Sequence, residues 1–271
     1  MDTLIRFYRM CNLLSLDVAG GAIVCALFFS KLLSVTPYIQ GMIALGLTVW
    51  VIYTADRLLD VRALTNAAAS ERHKFHQQYQ KPLWIVSITI GLIVVGLVFF
   101  LRPPVLLGGI YLSIVVAFYL LLQKYLKGKE VFVAMLYTAG VMLPSWSVTS
   151  VNISMAHYLL VVQLFSVALI NLLLFSWFEY ESDLQDGHSS IAIRWGKKAT
   201  GNFLLTLSAI NLAITLYLTS QNSFLVPTIL FLLMNSVLVI IFKFHSYFTF
   251  NSRYRLLGDA IFFIPLAGIF L

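Results

Sequence analysis

Apolar runs of about 20 residues recur along this chain of 271, and at 1.5 Å rise per residue such a run crosses bilayer hydrocarbon as an α-helix. Inside lipid each backbone N–H and C=O must be bonded within its own segment, which leaves a helical bundle as the natural solution. With 60% hydrophobic and 11% charged residues, the chain is too apolar for a soluble domain. Nine spans fit, at roughly 12–33, 37–58, 83–101, 104–123, 131–148, 156–178, 201–219, 223–243 and 256–271. The expected fold is an all-α polytopic membrane protein, a nine-transmembrane-helix bundle with an active-site mouth on its cytoplasmic side. It forms one integral-membrane domain over 1–271, with two four-helix halves (about 1–128 and 129–250) and a last helix. Pro37, Pro82, Pro103 and Pro104 fall near helix starts, where a missing N–H costs little. No cleavable signal peptide is expected, because Met1 to Arg9 is polar and the first run is long enough to span. Cys11 and Cys25 have no metal-ligand company and read as packing residues, not a disulfide.

The net charge of +7 could suggest nucleic acid, but the basic residues collect in alternate short loops, which is the signature of topology selection. With the N-terminus in the cytoplasm, every Lys and Arg except Lys31 and Arg102 falls inside. Minimal loops and no targeting sequence place the chain in a bacterial inner membrane by expectation.

The acids gather on the same side. In Tyr53-Thr-Ala-Asp56-Arg57-Leu-Leu-Asp60, two carboxylates four residues apart share one helix face. Carboxylates at the edge of hydrocarbon are costly unless paired, hydrated or bound to a cation. A second cluster, Glu179-Tyr-Glu181-Ser-Asp183-Leu-Gln-Asp186, follows the sixth span. Asp56 to Glu179 and Asp60 to Asp183 have the same separation, 123 positions, so each pair ends the second helix of a four-helix unit. If the two helix ends face each other, four carboxylates converge and need cations. Hard oxygen ligands suit Mg²⁺, which commonly also takes phosphate oxygens, and the surrounding Lys and Arg read as a counter-set for an anion. A pyrophosphate held this way becomes a good leaving group. Solvated carboxylates paired with Arg57 or Arg62 are the plainer alternative.

Other polar residues have two readings each. Asp17, inside the first span, is a functional candidate or a partner of Arg9 or of Lys and Arg at neighbouring helix ends. Asp259, one turn after Arg255, reads as an ion-paired helix end. Asn171 lies two turns before Glu179 and could meet an acceptor or bond between helices. His73 and His76 have the i, i+3 spacing of metal ligands without a third ligand nearby, and so read as a solvated cap. His188, beside the second acidic cluster, could touch diphosphate or act as a base. Gly20 and Gly21 suit close helix packing.

Tyr53-x2-Asp56-x3-Asp60 and Glu179-x3-Asp183 resemble the Asn-x2-Asp-x3-Asp and Asp-x3-Asp motifs of the UbiA-type intramembrane prenyltransferases. The stretch from Asp186-Gly187 to Gly196 resembles the tail of the second motif, and Leu126-Lys127 resembles the step where the family has a diphosphate-binding lysine. The resemblance implies nine helices and Mg²⁺-dependent transfer of an isoprenyl group from an isoprenyl diphosphate to a hydrophobic, aromatic acceptor. Asp56, Asp60, Glu179 and Asp183 would then bind two Mg²⁺ and carry catalysis. Lys127, with Lys124 or Lys129 as substitutes, would hold the diphosphate, helped by Arg57 and Arg194. Tyr53, Asp17, Asp186, His188 and Asn171 are further candidates. No obligate protein partner is inferred. Tyr53 stands where the family has Asn and Glu179 where it has Asp. Ser15 to Ala19 lacks the arginine and proline that the family often shows there. The alternatives are a cation-coupled transporter, although its acids belong near mid-bilayer, and a catalytically weakened prenyltransferase-like protein. A CDP-alcohol phosphotransferase is disfavoured because its Asp-Gly-x2-Ala-Arg element is absent.

Overall fold

A computed structural model describes residues 2–270 other than Ala63, Thr65, Lys124, Lys127 and Ser223, with the side chains of Asp2 and Leu4 also outside the description. In chain order the helices are α1 (Asp2–Leu13), α2 (Leu16–Leu32), α3 (Ile39–Arg62), α4 (Glu71–Gln78), α5 (Gln80–Val98), α6 (Pro103–Leu122) and α7 (Lys129–Trp146). They continue with α8 (Met155–Phe178), α9 (Tyr180–Asp186), α10 (Ile191–Ser220), α11 (Leu225–Lys243), α12 (His245–Thr249), α13 (Arg253–Ala260) and α14 (Leu266–Phe270).

Six of the described helices, α3, α5, α6, α8, α10 and α11, are each long and apolar enough to cross a bilayer. A seventh span arises if α1 and α2, bent by 84°, are taken together. The chain is an integral membrane protein, and of the nine spans expected from sequence the first and the last are interrupted in the structure. At the start, Ser15 takes a left-handed backbone (φ 59°) that breaks the first run, and the residues before it form α1. At the end, the expected span 256–271 is divided into α13, a 3₁₀ turn at Ile261–Phe263, and α14. Pro265 contributes to the interruption: it has no N–H to give to Ile261 O, which accepts instead from Ile264 N–H at 2.9 Å in a 3₁₀ turn. α7 begins with Lys129 and Glu130 and carries Pro144 within it. α10 starts ten residues earlier than the expected span, turning at Gly196 (φ 81°), where a side chain would be strained.

The bundle is organised around α8, which is buried along most of its length and packs against α7, α10, α11 and α13. α5 and α6 are the opposite case: Ile88, Leu92, Val95, Phe118 and Leu121 are exposed, as lipid-facing residues of a membrane bundle are. Two close approaches fix the C-terminal segment. At Gly21 an added Cβ would sit 2.7 Å from the Cβ of Phe262, and at Gly258 one would sit 2.5 Å from Asn171 Oδ1. Glycine is the residue that lets these backbones meet. The result lays α13 across α2 and α8, beside the junction where the second acidic pair leaves α8.

Candidate active site

One cavity of about 150 Å³ lies between α3, α7, α8 and α13, and Asp56, Asp60, Glu179 and Asp183 all line it. α3 continues as far as Arg62, so Asp56 and Asp60 remain one turn apart on its inner face. The second pair straddles a joint: α8 ends at Phe178, Glu179 is the junction residue, and Asp183 N–H still donates to Glu179 O at 2.8 Å to keep the turn.

Each carboxylate meets a different partner. Tyr119 donates its hydroxyl to Asp56 at 3.0 Å. Lys129 donates to Asp60 at 3.1 Å, so the cation lies in the first turn of α7. That position opposes the helix dipole, and Asp60 supplies the compensating charge. Glu179 is gripped by Arg255, through Nε at 2.5 Å and through a terminal guanidinium nitrogen, and accepts the Tyr254 hydroxyl at 2.8 Å. Burial pushes the Glu179 carboxyl up, but Arg255 and Tyr254 outweigh it and bring the group down to about 2. Asp183 has no such fork. Burial and the neighbouring Glu179 charge push it up to about 7, with Lys129, Arg255 and the Ser190 hydroxyl working against the rise.

A fifth acid completes the set. Glu130 is buried, accepts from Ser176 Oγ and from the Ile191 backbone N–H, each at 2.7 Å, and thereby sits at the amino end of α10. Backbone N–H groups and the helix dipole favour a carboxylate there. Its other oxygen, like Arg72 Nε and Asn171 Oδ1, is buried with no hydrogen-bond partner among the described residues. All three residues line the cavity. Buried polar atoms are normally satisfied, so Glu130 and Arg72 leave capacity for a polar ligand, while Asn171 Oδ1 packs against Gly258 of α13.

The remaining candidates separate into those at the cavity and those away from it. Tyr53 lines it, with the Arg57 guanidinium 5.7 Å from its ring centre. Arg57 does not pair with either aspartate of its motif by hydrogen bond; it donates to the Ser15 hydroxyl across the bend between α1 and α2. His188 lines the cavity, whereas Asp186 lies outside its lining and accepts from the Ala69 N–H at 2.9 Å and 3.1 Å. Arg194 is exposed on α10 and does not reach the cavity. Lys124 and Lys127 lie outside the described residues.

Asp17 is buried and bonded to Asn12 at 2.5 Å, while Arg9 donates to Asn251 O instead. Asp259 departs from the ion-paired helix end expected of it. Arg255 goes to Glu179, and Asp259 is buried at the cavity wall, accepting from Asn12 at 2.9 Å and Asn171 at 3.4 Å. His76 is also not a solvated cap residue: it is buried, with Nδ1 2.9 Å from Arg72 O. The sequence reading missed Tyr119, Arg72, Tyr254 and Arg255. Arg255 carried a faint signal, as a basic residue one turn before an acid in an apolar segment, but its partner lies 76 positions away.

Do these residues suit Mg²⁺? Among the described residues no three of the four motif carboxylates bring oxygens within 4.8 Å of one another. They face the cavity as pairs from two sides. Mg²⁺ retains waters and takes one or two carboxylates plus phosphate oxygens, so a divided acidic lining with basic residues between suits it. Asp56, Asp60 and Asp183 fit that role, whereas Glu179 is already neutralised by Arg255.

Neither a family model nor a curated protein sequence matches this chain. Solved structures do. A UbiA homologue from Archaeoglobus fulgidus, described as bound to DMAPP and Mg²⁺, superposes with a TM-score of 0.65 at 13% identity, covering 96% of this chain and 99% of that one. The apo UbiA homologue from Aeropyrum pernix K1 gives 0.66 at 15% identity, over 95% and 98% of the two chains. A digeranylgeranylglyceryl phosphate synthase gives 0.56 at 14% identity, over the whole of both chains. Agreement over nearly the full length of each chain fixes the architecture: this protein has the UbiA-type membrane fold.

Proposed function

We propose that this protein transfers an isoprenyl group from an allylic isoprenyl diphosphate to a hydrophobic acceptor, with Mg²⁺ as cofactor. The observation that carries the reading is the two-part cavity. Its mouth holds acids from two helix ends together with Arg57, Arg72, Lys129 and Arg255, and its inner wall is formed by Val18, Val133, Ala168, Leu172 and Phe262. A molecule with a diphosphate head and a hydrocarbon tail matches both parts. The fold agrees, since the A. fulgidus homologue is described in complexes with DMAPP and with GPP, each with Mg²⁺.

Asp56, Asp60 and Asp183 are the residues that would hold the cation. When bound, Mg²⁺ neutralises the charge that develops on the departing diphosphate. Lys129, anchored by Asp60, keeps donor capacity for a diphosphate oxygen. Glu179 accepts from Arg255 Nε and one terminal nitrogen, fixing the guanidinium while its other terminal nitrogen keeps donor capacity for a diphosphate oxygen. The allylic C–O bond breaks with its electron pair leaving on the diphosphate, and the tail remains as an allylic cation. Aromatic faces at the cavity, Tyr53, Tyr137 and Phe175, attract that charge through their ring quadrupoles. The buried wall excludes water that would capture the cation before the acceptor does. The collection of Lys and Arg in alternate loops supports an orientation with the mouth and N-terminus in the cytoplasm.

The test uses proteoliposomes, labelled allylic diphosphates of several lengths and a lipid-extract acceptor pool. Labelled product and diphosphate are expected only with Mg²⁺, and both are lost in Asp56→Ala and Asp183→Ala. Turnover that persists in both variants overturns the assignment. Proton-driven uptake without diphosphate release supports a transporter instead.

A further inference from the structure

The second observation of chemical interest lies at the rim of the cavity. His73, Asp186 and His188 are the only described group of three or more His, Cys, Asp or Glu residues whose ligand atoms gather within 4.8 Å of one another. His73 Nδ1 is 3.5 Å from Asp186 Oδ2, and the two imidazole rings stand 4.8 Å apart, centre to centre. We propose that these three side chains form a binding site for a divalent transition-metal ion of the Zn²⁺ type, separate from the Mg²⁺ carboxylates.

Donor chemistry selects the ion. Two imidazoles and one carboxylate suit Zn²⁺ and its first-row neighbours, whereas Mg²⁺ prefers an all-oxygen shell. Tetrahedral metal–ligand bonds of roughly 2.0–2.2 Å put neighbouring ligand atoms about 3.4 Å apart, so the His73–Asp186 separation already matches. With ligand atoms up to 4.8 Å apart, the set as a whole needs a closure of up to about 1.4 Å to reach that spacing. Three protein ligands leave a position for water or an anion.

The two ring nitrogens lack other occupation, while Asp186 accepts from the Ala69 N–H and keeps lone pairs for a metal. His73 Nδ1 and His188 Nε2 are both buried without a hydrogen-bond partner among the described residues. At 3.5 Å the His73–Asp186 contact is too long for a good hydrogen bond. A shared metal ion accounts for both vacant ring nitrogens at once.

The backbone around the site is anchored as metal sites require. Ser70 caps α4 by accepting from His73 N–H at 3.1 Å, and the residue before it, Ala69, donates its N–H to Asp186. Asp183 O accepts from His188 N–H at 2.9 Å, which sets the turn after α9. The ion therefore ties the connection that follows Asp56 and Asp60 to the turn that follows Asp183. It would hold the two acidic motifs in register across the mouth.

Co²⁺ is the probe, because its visible ligand-field band reports imidazole ligation while Mg²⁺ has none. Purified full-length protein in detergent is expected to take up one equivalent of Co²⁺ with such a band, displaced by equimolar Zn²⁺ and retained in millimolar Mg²⁺. The band is lost in His73→Ala and in His188→Gln, each confirmed monodisperse by size exclusion, and is kept in Asp60→Asn. Absence of stoichiometric uptake overturns the site, as does displacement by millimolar Mg²⁺; both measurements use the unmodified protein. Loss of the band in Asp60→Asn, or its survival in both histidine variants, overturns it as well and returns the ion to the carboxylates.

Discussion

Arg255 holds the Glu179 carboxylate by two guanidinium nitrogens, joining the start of α13 to the end of α8. Removing one member of a buried pair leaves the other charge uncompensated, at a cost of about 3–5 kcal/mol, whereas replacing both can be nearly neutral. Arg255→Met and Glu179→Gln are each expected to lower thermal stability in detergent sharply. The double variant should recover most of the loss. Additive losses would contradict the pairing.

Lys129 pairs with Asp60 in the free protein, and in the proposed reaction it turns to the diphosphate. Its loss removes a charge-assisted hydrogen bond worth about 1.5–3 kcal/mol, so Lys129→Met should bind isoprenyl diphosphate about ten- to a hundredfold more weakly. Asp60 is then unpaired, and Mg²⁺ without diphosphate should bind more tightly than to the unmodified protein. Isothermal titration in detergent separates the two effects.

Asp183, pushed up to about 7, carries a proton over much of the range below neutrality. A cation must displace that proton, since metal ligands bind deprotonated. Mg²⁺ affinity should therefore rise with pH up to about 7, by about tenfold per unit where the carboxyl is protonated, and level off above. Titration in buffers of different ionisation enthalpy counts the proton released below pH 7. A flat profile with no proton release would contradict the ligand role of Asp183.

Gly258 is packed against Asn171 and Phe175, with a would-be Cβ 2.5 Å from Asn171 Oδ1 and 2.8 Å from the Phe175 ring. Gly258→Ala overpacks this contact and should cost about 1–3 kcal/mol, while displacing Asn171 from Asp259. Gly91, with nothing within 4 Å of an added Cβ, provides the control. Gly91→Ala should be neutral or slightly stabilising, from helix propensity. Thermal unfolding of the two variants side by side reads the difference.

Why was so much of this readable in the chain? Spans such as α6 and α8 are dictated by hydrocarbon thickness, a one-dimensional constraint that sequence expresses directly. Asp56 and Asp60 were visible for a similar reason, because acids beside apolar runs stand out, and i, i+4 spacing fixes their common face. The breaks were harder. Ser15 adopts its left-handed turn where Arg57 and Arg72 meet its hydroxyl, and neither contact is local. Partner choice was hardest of all. Arg255 lies one turn from Asp259 yet bonds Glu179, and His73 lies beside His76 yet faces Asp186 and His188. Spacing along one helix identifies neighbours on that helix; the decisive partners here come from others.

In the proposed function the carboxylates of α3 and α9 hold an isoprenyl diphosphate through Mg²⁺. Equilibrium binding of labelled geranyl diphosphate to the purified protein tests this without knowledge of the acceptor. Saturable binding is expected in Mg²⁺, abolished by EDTA and weakened by about a hundredfold in Asp60→Asn and Asp183→Asn. Equal binding in EDTA, or undiminished binding in both variants, would contradict it.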